Sequence, residues 1–119
     1  MQRDMELIID ILKTTESKTH PFIMELEDKD PAFVQYNVGL AVNHGLVVAT
    51  SKIFDNIPTY LISGLTWEGH EFLDSVKNDG VMDKAKSLAK DKGSKLFDLP
   101  FEIIKGLVVK ATQLYFLGP

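Results

Sequence analysis

The sequence predicts an α+β fold in which helices flank one small sheet and further helices follow toward the C-terminus. Three observations predict it. A helical pattern over residues 31–44 runs into an extended segment, residues 55–56 supply a turn before a second extended segment, and a helix start follows at 65–74. In winged-helix proteins, a recognition helix is followed by a β-wing in this same order of elements. The prediction is therefore a winged helix-turn-helix-like domain with a two- or three-stranded wing sheet and additional C-terminal helices.

The chain begins with a predicted helix over residues 3–16. Four apolar residues recur there at helical spacing: Met5, Ile8, Ile9 and Leu12. A polar connector follows, and the partial alternation of residues 22–27 is compatible with a short strand. The acidic run at 25–30 lacks the glycine and the terminal glutamate of a calcium-binding loop, so a solvated turn is the preferred interpretation.

A second helix is predicted over residues 31–44. Asp30 is suited to cap it, Pro31 suits its first position, and Gly45 closes it as a left-handed C-cap. One side of this helix is apolar. The other side carries no charge, and we expect it to be exposed; its residues are Ala32, Gln35, Tyr36, Gly39 and Asn43.

Two extended segments predict the β-wing. Residues 46–52 are rich in β-branched side chains, and residues 58–63 return after the turn at 55–56. Pro58 stands at the start of the second segment, where a strand tolerates a proline.

The segment 65–74, Leu-Thr-Trp-Glu-Gly-His-Glu-Phe-Leu-Asp, is the most specific motif of the chain. Thr66 is a good helix N-cap. Gly69 predicts the close approach of another backbone, because a glycine inside a helix costs roughly 1 kcal/mol against alanine. We interpret Trp67 as a packing residue. The motif is a structural signature without catalytic groups, formed by Thr66, Trp67, Gly69, His70, Phe72 and Leu73.

Two further helices are predicted near the C-terminus. The lysines of residues 81–92 fall into two groups around the helix axis, which favours solvated surface over a phosphate-binding stripe. Residues 100–117 carry apolar groups on several sides, and these can be buried within the monomer or covered by a second copy or another partner. The candidate interface residues are Ile104, Leu107, Val108, Leu114 and Tyr115. We divide the chain into a winged-helix-like domain, 1–79, and a helical extension, 80–119, that packs on this domain or on a partner.

Composition narrows the classes of function. The 119 residues carry a net charge of −4, no cysteine and a single arginine. Disulfides and thiolate metal sites are excluded, and the acidic balance disfavours phosphate recognition unless a local basic patch outweighs it. The chain shows no signal-peptide pattern and no apolar tract of the roughly 20 residues that cross a bilayer. We therefore expect a cytoplasmic protein without a membrane partner.

No residue pattern predicts catalytic or metal chemistry. His20, His44 and His70 form no metal-ligand pattern, and neither a phosphate-binding glycine loop nor a serine nucleophile motif occurs. We expect no enzyme, no bound metal, no cofactor and no small-molecule substrate.

Three motifs resemble one known family. They are Met1-x-Arg3-Asp4-Met5-Glu6-Leu7-Ile8 at the start, Tyr36 followed by Gly45-Leu46-Val47, and the segment 65–74. Together they resemble a family of small, functionally unassigned proteins common in phage and prophage genomes of bacteria, and the resemblance covers most of the chain. Many members carry a histidine directly after the tyrosine, where this chain has Asn37. The resemblance implies a winged-helix-like fold and a phage-encoded protein of the bacterial cell, and it implies no activity.

Two functions are open from the sequence. The first is a regulatory protein that binds DNA through helix 31–44 and the wing, with contacts from Gln35, Tyr36, Asn43 and Lys52. The second is a protein–protein interaction module, either a homo-oligomer or a binder of a host or phage protein, that does not bind nucleic acid. We lean toward the first because this architecture is used that way most often, which is an analogy from the fold.

Overall fold

The structure is a computed structural model that describes residues 1–118. Within those residues it contains five α-helices and one three-stranded antiparallel sheet, which confirms the α+β prediction. The chain forms two compact units, Met1–His70 and a second that begins at Glu71. This division falls inside the third helix, whereas the predicted boundary lies after residue 79.

The first unit holds two helices, the sheet and the start of a third helix. In chain order it contains α1 (Met5–Ser17), β1 (Phe22–Ile23), α2 (Pro31–Asn43), β2 (Val47–Phe54), β3 (Ile57–Leu65) and the first residues of α3 (Trp67–Val76). The strand order is β1-β3-β2, with β3 antiparallel to both neighbours. β1 is shorter than the predicted segment 22–27, because a turn in which the Lys29 N–H donates to the Leu26 carbonyl (3.4 Å) follows it.

Helix α1 begins where Asp4 caps it. The Asp4 side chain accepts a hydrogen bond from the Leu7 N–H (3.0 Å), which satisfies a backbone donor that the first turn leaves without a partner. Leu7, Ile11 and Leu12 are fully buried. The helix packs against α2 and β3, so its apolar stripe forms one wall of the core of this unit.

The observed bounds of helix α2 agree closely with the predicted ones. Asp30 caps it, Pro31 is its first residue, and Gly45 follows it with φ of 72°, the left-handed conformation that glycine adopts without strain. Val34, Val38 and Ala41 face the core. Three residues, 44–46, then connect the end of the helix to the hairpin.

Asn37 lies on the buried side of α2 and holds the N-terminus in place. Its side-chain oxygen accepts a hydrogen bond from the Asp4 N–H (2.8 Å), and its nitrogen donates to the carbonyls of Phe33 (3.1 Å) and Gln2 (3.4 Å). The side chain has no exposed surface. A polar group is stable there because each of its hydrogen-bonding atoms has a partner.

Strands β2 and β3 form the predicted hairpin. Asp55 and Asn56 connect them with φ of 50° and 63°, as in the type I′ turns that match the twist of a hairpin. The pairing register runs from Phe54 opposite Ile57 back to Val47 opposite Leu65, with one irregularity between Val48 and Ala49. The hairpin thus extends from Val47 to Leu65.

The start of α3 is fixed against the residues that follow α2. Thr66 donates through its hydroxyl to the Gly45 carbonyl, and that hydroxyl accepts a hydrogen bond from the Gly69 N–H (2.9 Å). The Thr66 N–H donates to the Leu46 carbonyl (3.0 Å). A Cβ on Gly69 would overlap the same carbonyl, which confirms the prediction that Gly69 admits another backbone.

The second unit is helical. It contains the rest of α3, α4 (Asp79–Asp91), a 3₁₀ turn at Leu96–Asp98 and α5 (Phe101–Leu117). Asn78 caps α4, so this helix begins two residues before the predicted start at residue 81. Helix α5 packs against α4, and the rings of Phe72 and Phe101 lie 5.5 Å apart in the core of this unit.

Candidate functional site

Gln35 is not on the exposed face of α2, which corrects one predicted DNA contact. Its Nε2 donates to the Met24 carbonyl (3.0 Å), and its Oε1 accepts from the Tyr60 N–H (2.8 Å). The side chain is buried. Both polar ends are engaged, so Gln35 cannot reach a base edge, and its role is to join the segment after β1 to strand β3.

The other three predicted DNA contacts are exposed. Tyr36 and Asn43 lie on the outer side of α2, and Lys52 lies on β2. Tyr36 and Asn43 are brought together along a cleft of about 430 Å³ between α2 and the hairpin, which we call the helix–hairpin cleft. Lys52 does not line this cleft.

Tyr60 forms one wall of the helix–hairpin cleft. A Cβ on Gly39 would lie 2.9 Å from the Tyr60 hydroxyl oxygen, so the absence of a side chain at Gly39 lets the phenol ring lie against α2. The rest of the hairpin wall is formed by the turn and the first residues of β3: Asn56, Ile57 and Pro58. This wall of the cleft is therefore formed by the ring of Tyr60, which packs directly against helix α2.

A second, larger cleft of about 780 Å³ lies on the other side of Gln35, and we call it the acidic cleft. Its apolar lining consists of Ile23, Met24, Leu26, Pro31, Val34, Phe54 and Ile57. Its carboxylates are Glu25, Glu27 and Asp55, and no lysine or arginine lines it. This combination is suited to bury apolar side chains while a cation is held at the rim.

The hairpin next to the acidic cleft exposes large apolar side chains. Ile53 is 73% exposed, and Phe54, which also lines the acidic cleft, is exposed beside it. Val48 and Leu61 add exposed apolar surface further along the two strands. Single exposed apolar residues are ordinary, but a group of them beside a cleft is typical of an interaction surface.

The charge of the first unit is unfavourable for binding phosphate. Residues 1–70 contain five basic and ten acidic side chains, which leave a net charge of −5. Helix α2 contains no charged residue, and the hairpin 47–65 carries only Lys52 and Asp55. Phosphate neutralisation by lysine and arginine supplies most non-specific affinity for DNA, and this surface offers a single lysine.

The structural signature of residues 65–74 is confirmed in part. Thr66 and Gly69 make the contacts predicted for them, and Phe72 and Leu73 are buried. The interpretation of Trp67 as a packing residue is wrong, because this side chain is 77% exposed. Gly69 faces Leu46, and at about 100° per residue a position two residues earlier points almost the opposite way. His70 is exposed as well.

The predicted interface residues of α5 are mostly covered by the protein itself. Ile104 and Val108 are buried and Leu107 and Leu114 half-buried, because this side of α5 packs against α4. Tyr115 is half exposed, with its ring against Gly80. The apolar side chains that remain exposed on α5 are others: Ile103, Val109, Phe116 and Leu117.

The described residues contain no cluster of metal ligands. Across residues 1–118, no group of three or more histidine, aspartate or glutamate residues is arranged to hold a metal ion. Every buried side-chain nitrogen or oxygen there has a hydrogen-bond partner, so no orphaned polar atom marks a ligand position. No helix among these residues is long and apolar enough to cross a membrane.

Comparison with known proteins gives a family and one relative. The profile of a family described as "Hypothetical protein (DUF2513)" matches residues 2–95. An uncharacterized protein of Haemophilus influenzae is 34% identical over 109 residues, which cover 88% of this chain and 90% of that protein. No solved structure is a significant match to the chain.

Proposed function

The chain belongs to the DUF2513 family, and from the geometry of residues 1–70 we propose that it is a protein-interaction module of winged-helix type. Its partner is a protein segment that combines apolar and basic side chains. The observation that carries the proposal is the lining of the acidic cleft, where apolar residues meet three carboxylates and no basic side chain. This is the second of the two functions that the sequence left open.

Two features support a winged-helix arrangement. The strand order β1-β3-β2 places the short strand beside the hairpin, and α2 leads directly into that hairpin. One feature departs from a helix-turn-helix, in which a turn of three or four residues joins two helices. Here residues 18–30 separate α1 from α2 and contain a short strand and a turn. The scaffold is therefore proposed as winged-helix type without its usual helix pair.

Charge favours a protein over DNA as the partner. The net charge of −5 on residues 1–70 repels a polyanion and attracts a cationic segment over distances of about 10 Å at ordinary salt. Complementary charges raise the rate of encounter and suppress wrong partners more than they add affinity. The acidic balance of this unit thus supports selection of basic segments.

The acidic cleft offers binding partners for both the apolar and the basic side chains of such a segment. Its volume of about 780 Å³ lies within the usual range of binding pockets and accommodates several side chains. Burial of a leucine-sized side chain contributes roughly 1.5–3 kcal/mol, which is the main source of affinity. Glu25, Glu27 and Asp55 at the cleft pair with lysine or arginine of the partner and fix its orientation.

The family resemblance supports a biological setting for the proposed function, namely a phage or prophage protein in a bacterial cell. Three sequence motifs resemble proteins of phage and prophage genomes, and the relative of 34% identity comes from a bacterium. In that setting the module acts in the bacterial cytoplasm, its partner is a host or phage protein, and the effect of binding is regulatory.

Selection of a random peptide library on the full chain tests the proposal. We expect enriched peptides to combine leucine, isoleucine or phenylalanine with lysine or arginine. A synthetic copy of such a peptide should bind Glu27→Lys about tenfold more weakly than the wild type, because repulsion replaces attraction at the cleft. Asp10→Lys makes the same change of charge on the exposed side of α1, outside the cleft, and should bind like the wild type. Enriched peptides without basic residues, or equal weakening by both variants, would contradict the proposal.

DNA binding is a second candidate, and one observation favours it. Tyr36 and Asn43 line the helix–hairpin cleft, and the hairpin that forms its other wall carries the exposed Lys52. If this surface binds DNA, affinity for a labelled duplex falls with added salt, and Lys52→Ala lowers both the affinity and its salt dependence. Absent or salt-independent binding to a pool of random duplexes at low salt would remove this candidate.

A further inference from the structure

Helix α5 presents a continuous exposed face opposite its buried one. Ile104, Val108 and Ala111 are buried, while Ile103 and Val109 are 51% and 50% exposed on the other side. At 3.6 residues per turn, the exposed positions of the helix other than Tyr115 fall along one face centred on residue 106. The members of this face, which we call the outer face of α5, are Glu102, Ile103, Gly106, Val109, Lys110, Gln113, Phe116 and Leu117.

No contact within the molecule explains why residue 106, at the centre of the outer face, is a glycine (Gly106). It lies inside a helix, where glycine is less favourable than alanine, and a Cβ there would meet no atom within 4 Å. Gly69 and Gly80, by contrast, are each required by a neighbouring group. A residue without a side chain on an exposed helix allows the backbone of another helix to approach closely.

The residues around Gly106 are self-complementary for an antiparallel pair. When a two-fold axis passes through Gly106, a residue before it faces the residue that lies equally far after it in the other copy. Ile103 then lies level with Val109, and Glu102 level with Lys110, on opposite sides of the contact, each twice. A parallel pair would instead place Glu102 against Glu102 and Lys110 against Lys110. Shape and charge therefore both select the antiparallel arrangement.

We propose that the part of the outer face of α5 around Gly106, residues 102–110, binds a second copy of this chain, with the two α5 helices antiparallel and crossing at Gly106. The proposal concerns residues from Glu71 onward and does not depend on the acidic cleft of the first unit. It also differs from the sequence prediction of this interface, since Ile104 and Val108 face inward and Ile103 and Val109 take their place.

Cysteine crosslinking tests the geometry, and the chain offers a clean background because it contains no cysteine. A disulfide needs Cα atoms within about 7 Å, so Gly106→Cys should crosslink with itself under mild oxidation. Ile103→Cys and Val109→Cys should each stay largely monomeric alone and crosslink when mixed. Lys86→Cys, exposed on α4, is the control for random collision. Crosslinking of Gly106→Cys no faster than that of this control, or efficient crosslinking of Ile103→Cys with itself, would overturn the proposal.

Charge reversal tests the same contact in the uncrosslinked protein. Analytical ultracentrifugation of the full chain from micromolar to millimolar concentration should show a monomer–dimer equilibrium. Lys110→Glu and Glu102→Lys should each weaken it about tenfold, and an equimolar mixture of the two variants should recover wild-type affinity, because every facing pair is then opposite in charge. Lys90→Glu on α4 should leave it unchanged. A wild-type protein that stays monomeric at every concentration, or a mixture no tighter than either variant alone, would refute the antiparallel pair.

Discussion

The carbonyl oxygen of Leu46 occupies the position where a side chain at residue 69 would begin. The same carbonyl accepts the Thr66 N–H, so one backbone group both anchors the start of α3 and excludes any residue but glycine three positions later. The motif at 65–74 is thus specific because it describes a helix that starts against a neighbouring backbone.

Gly69→Ala should destabilise the protein although it increases helix propensity. The added methyl group overlaps a backbone carbonyl that is held by a hydrogen bond, so α3 must shift, at a cost of roughly 2–3 kcal/mol. Gly106→Ala is the matched control, because it makes the same change in a helix with open space around it and should raise the stability of the monomer by roughly 0.5–1 kcal/mol. Urea unfolding at low protein concentration measures both. Equal effects of the two substitutions would show that Leu46 does not constrain residue 69.

Thr66→Val should weaken the start of α3 by roughly 1–2 kcal/mol, because the hydroxyl that receives the Gly69 N–H and donates to Gly45 is lost. Thr66→Ser keeps that hydroxyl and should stay within a few tenths of a kcal/mol of the wild type. Thermal unfolding followed by circular dichroism distinguishes them. A loss in Thr66→Ser with little loss in Thr66→Val would assign the role of Thr66 to its methyl group.

Asn37→Asp should make stability depend on pH. The carboxylate would lie fully buried, with one oxygen facing the carbonyls of Phe33 and Gln2, so its folded-state pKa rises above the unfolded value of about 3.9. Below that pH the carboxyl is protonated in both states and no penalty arises. As pH rises toward the folded-state pKa the variant loses about 1.4 kcal/mol per unit, and above that pKa the loss is constant.

Asn43→Asp is the control for this pH dependence, because it makes the same change at an exposed position of the same helix. Its stability should change relative to the wild type by no more than about 1 kcal/mol from pH 3 to pH 8, which is the cost of a carboxylate at the C-terminal end of a helix. Denaturant unfolding across that range provides the comparison. A flat profile for Asn37→Asp would mean that water reaches residue 37.

Asn56→Gly should stabilise the hairpin by up to about 1 kcal/mol. Asn56 has φ of 63°, and glycine adopts this conformation without the steric cost that other residues carry. Asn56→Ala should lower stability by a similar amount, because alanine tolerates that φ less well than asparagine. Thermal unfolding of the three proteins gives their order. Alanine as stable as glycine at this position would contradict the left-handed turn.

The fluorescence of Trp67 should barely change on unfolding. It is the only tryptophan of the chain and is 77% exposed in the folded protein. Its emission maximum should therefore be close to that of the urea-unfolded chain, and iodide should quench it almost as well. A strongly blue-shifted native emission would show that Trp67 is covered, for example by a partner molecule.

Local signals predicted much of this fold. Asp30, Gly45 and Thr66 mark helix ends through hydrogen bonds and backbone conformations that involve only nearby residues, and all three were identified correctly. The turn at Asp55 and Asn56 was found for the same reason. Features that depend on one or two neighbouring residues can be predicted from the sequence itself.

The composition of the candidate surfaces could not be predicted in the same way. Gln35 was placed on the exposed face of α2, but the segment after β1 and strand β3 cover that side of the helix. On α5, the sequence predicts the strongest apolar stripe as the interface, but Ile104 and Val108 of that stripe are buried by packing within the protein. A helical projection shows which side is apolar, and only the tertiary structure shows what covers it.

Strand β2 has one further consequence. It lies at the end of the strand order, so its eight residues leave one row of backbone groups without a strand neighbour, next to the exposed Ile53 and Phe54. Such edges invite aggregation by strand addition, and proteins counter it with an irregularity that twists the edge and with lysine. β2 has both, an irregular register at Val48 and Ala49 and the exposed Lys52 in the middle of the strand. We therefore expect Lys52 to protect solubility, whether or not it contacts a phosphate.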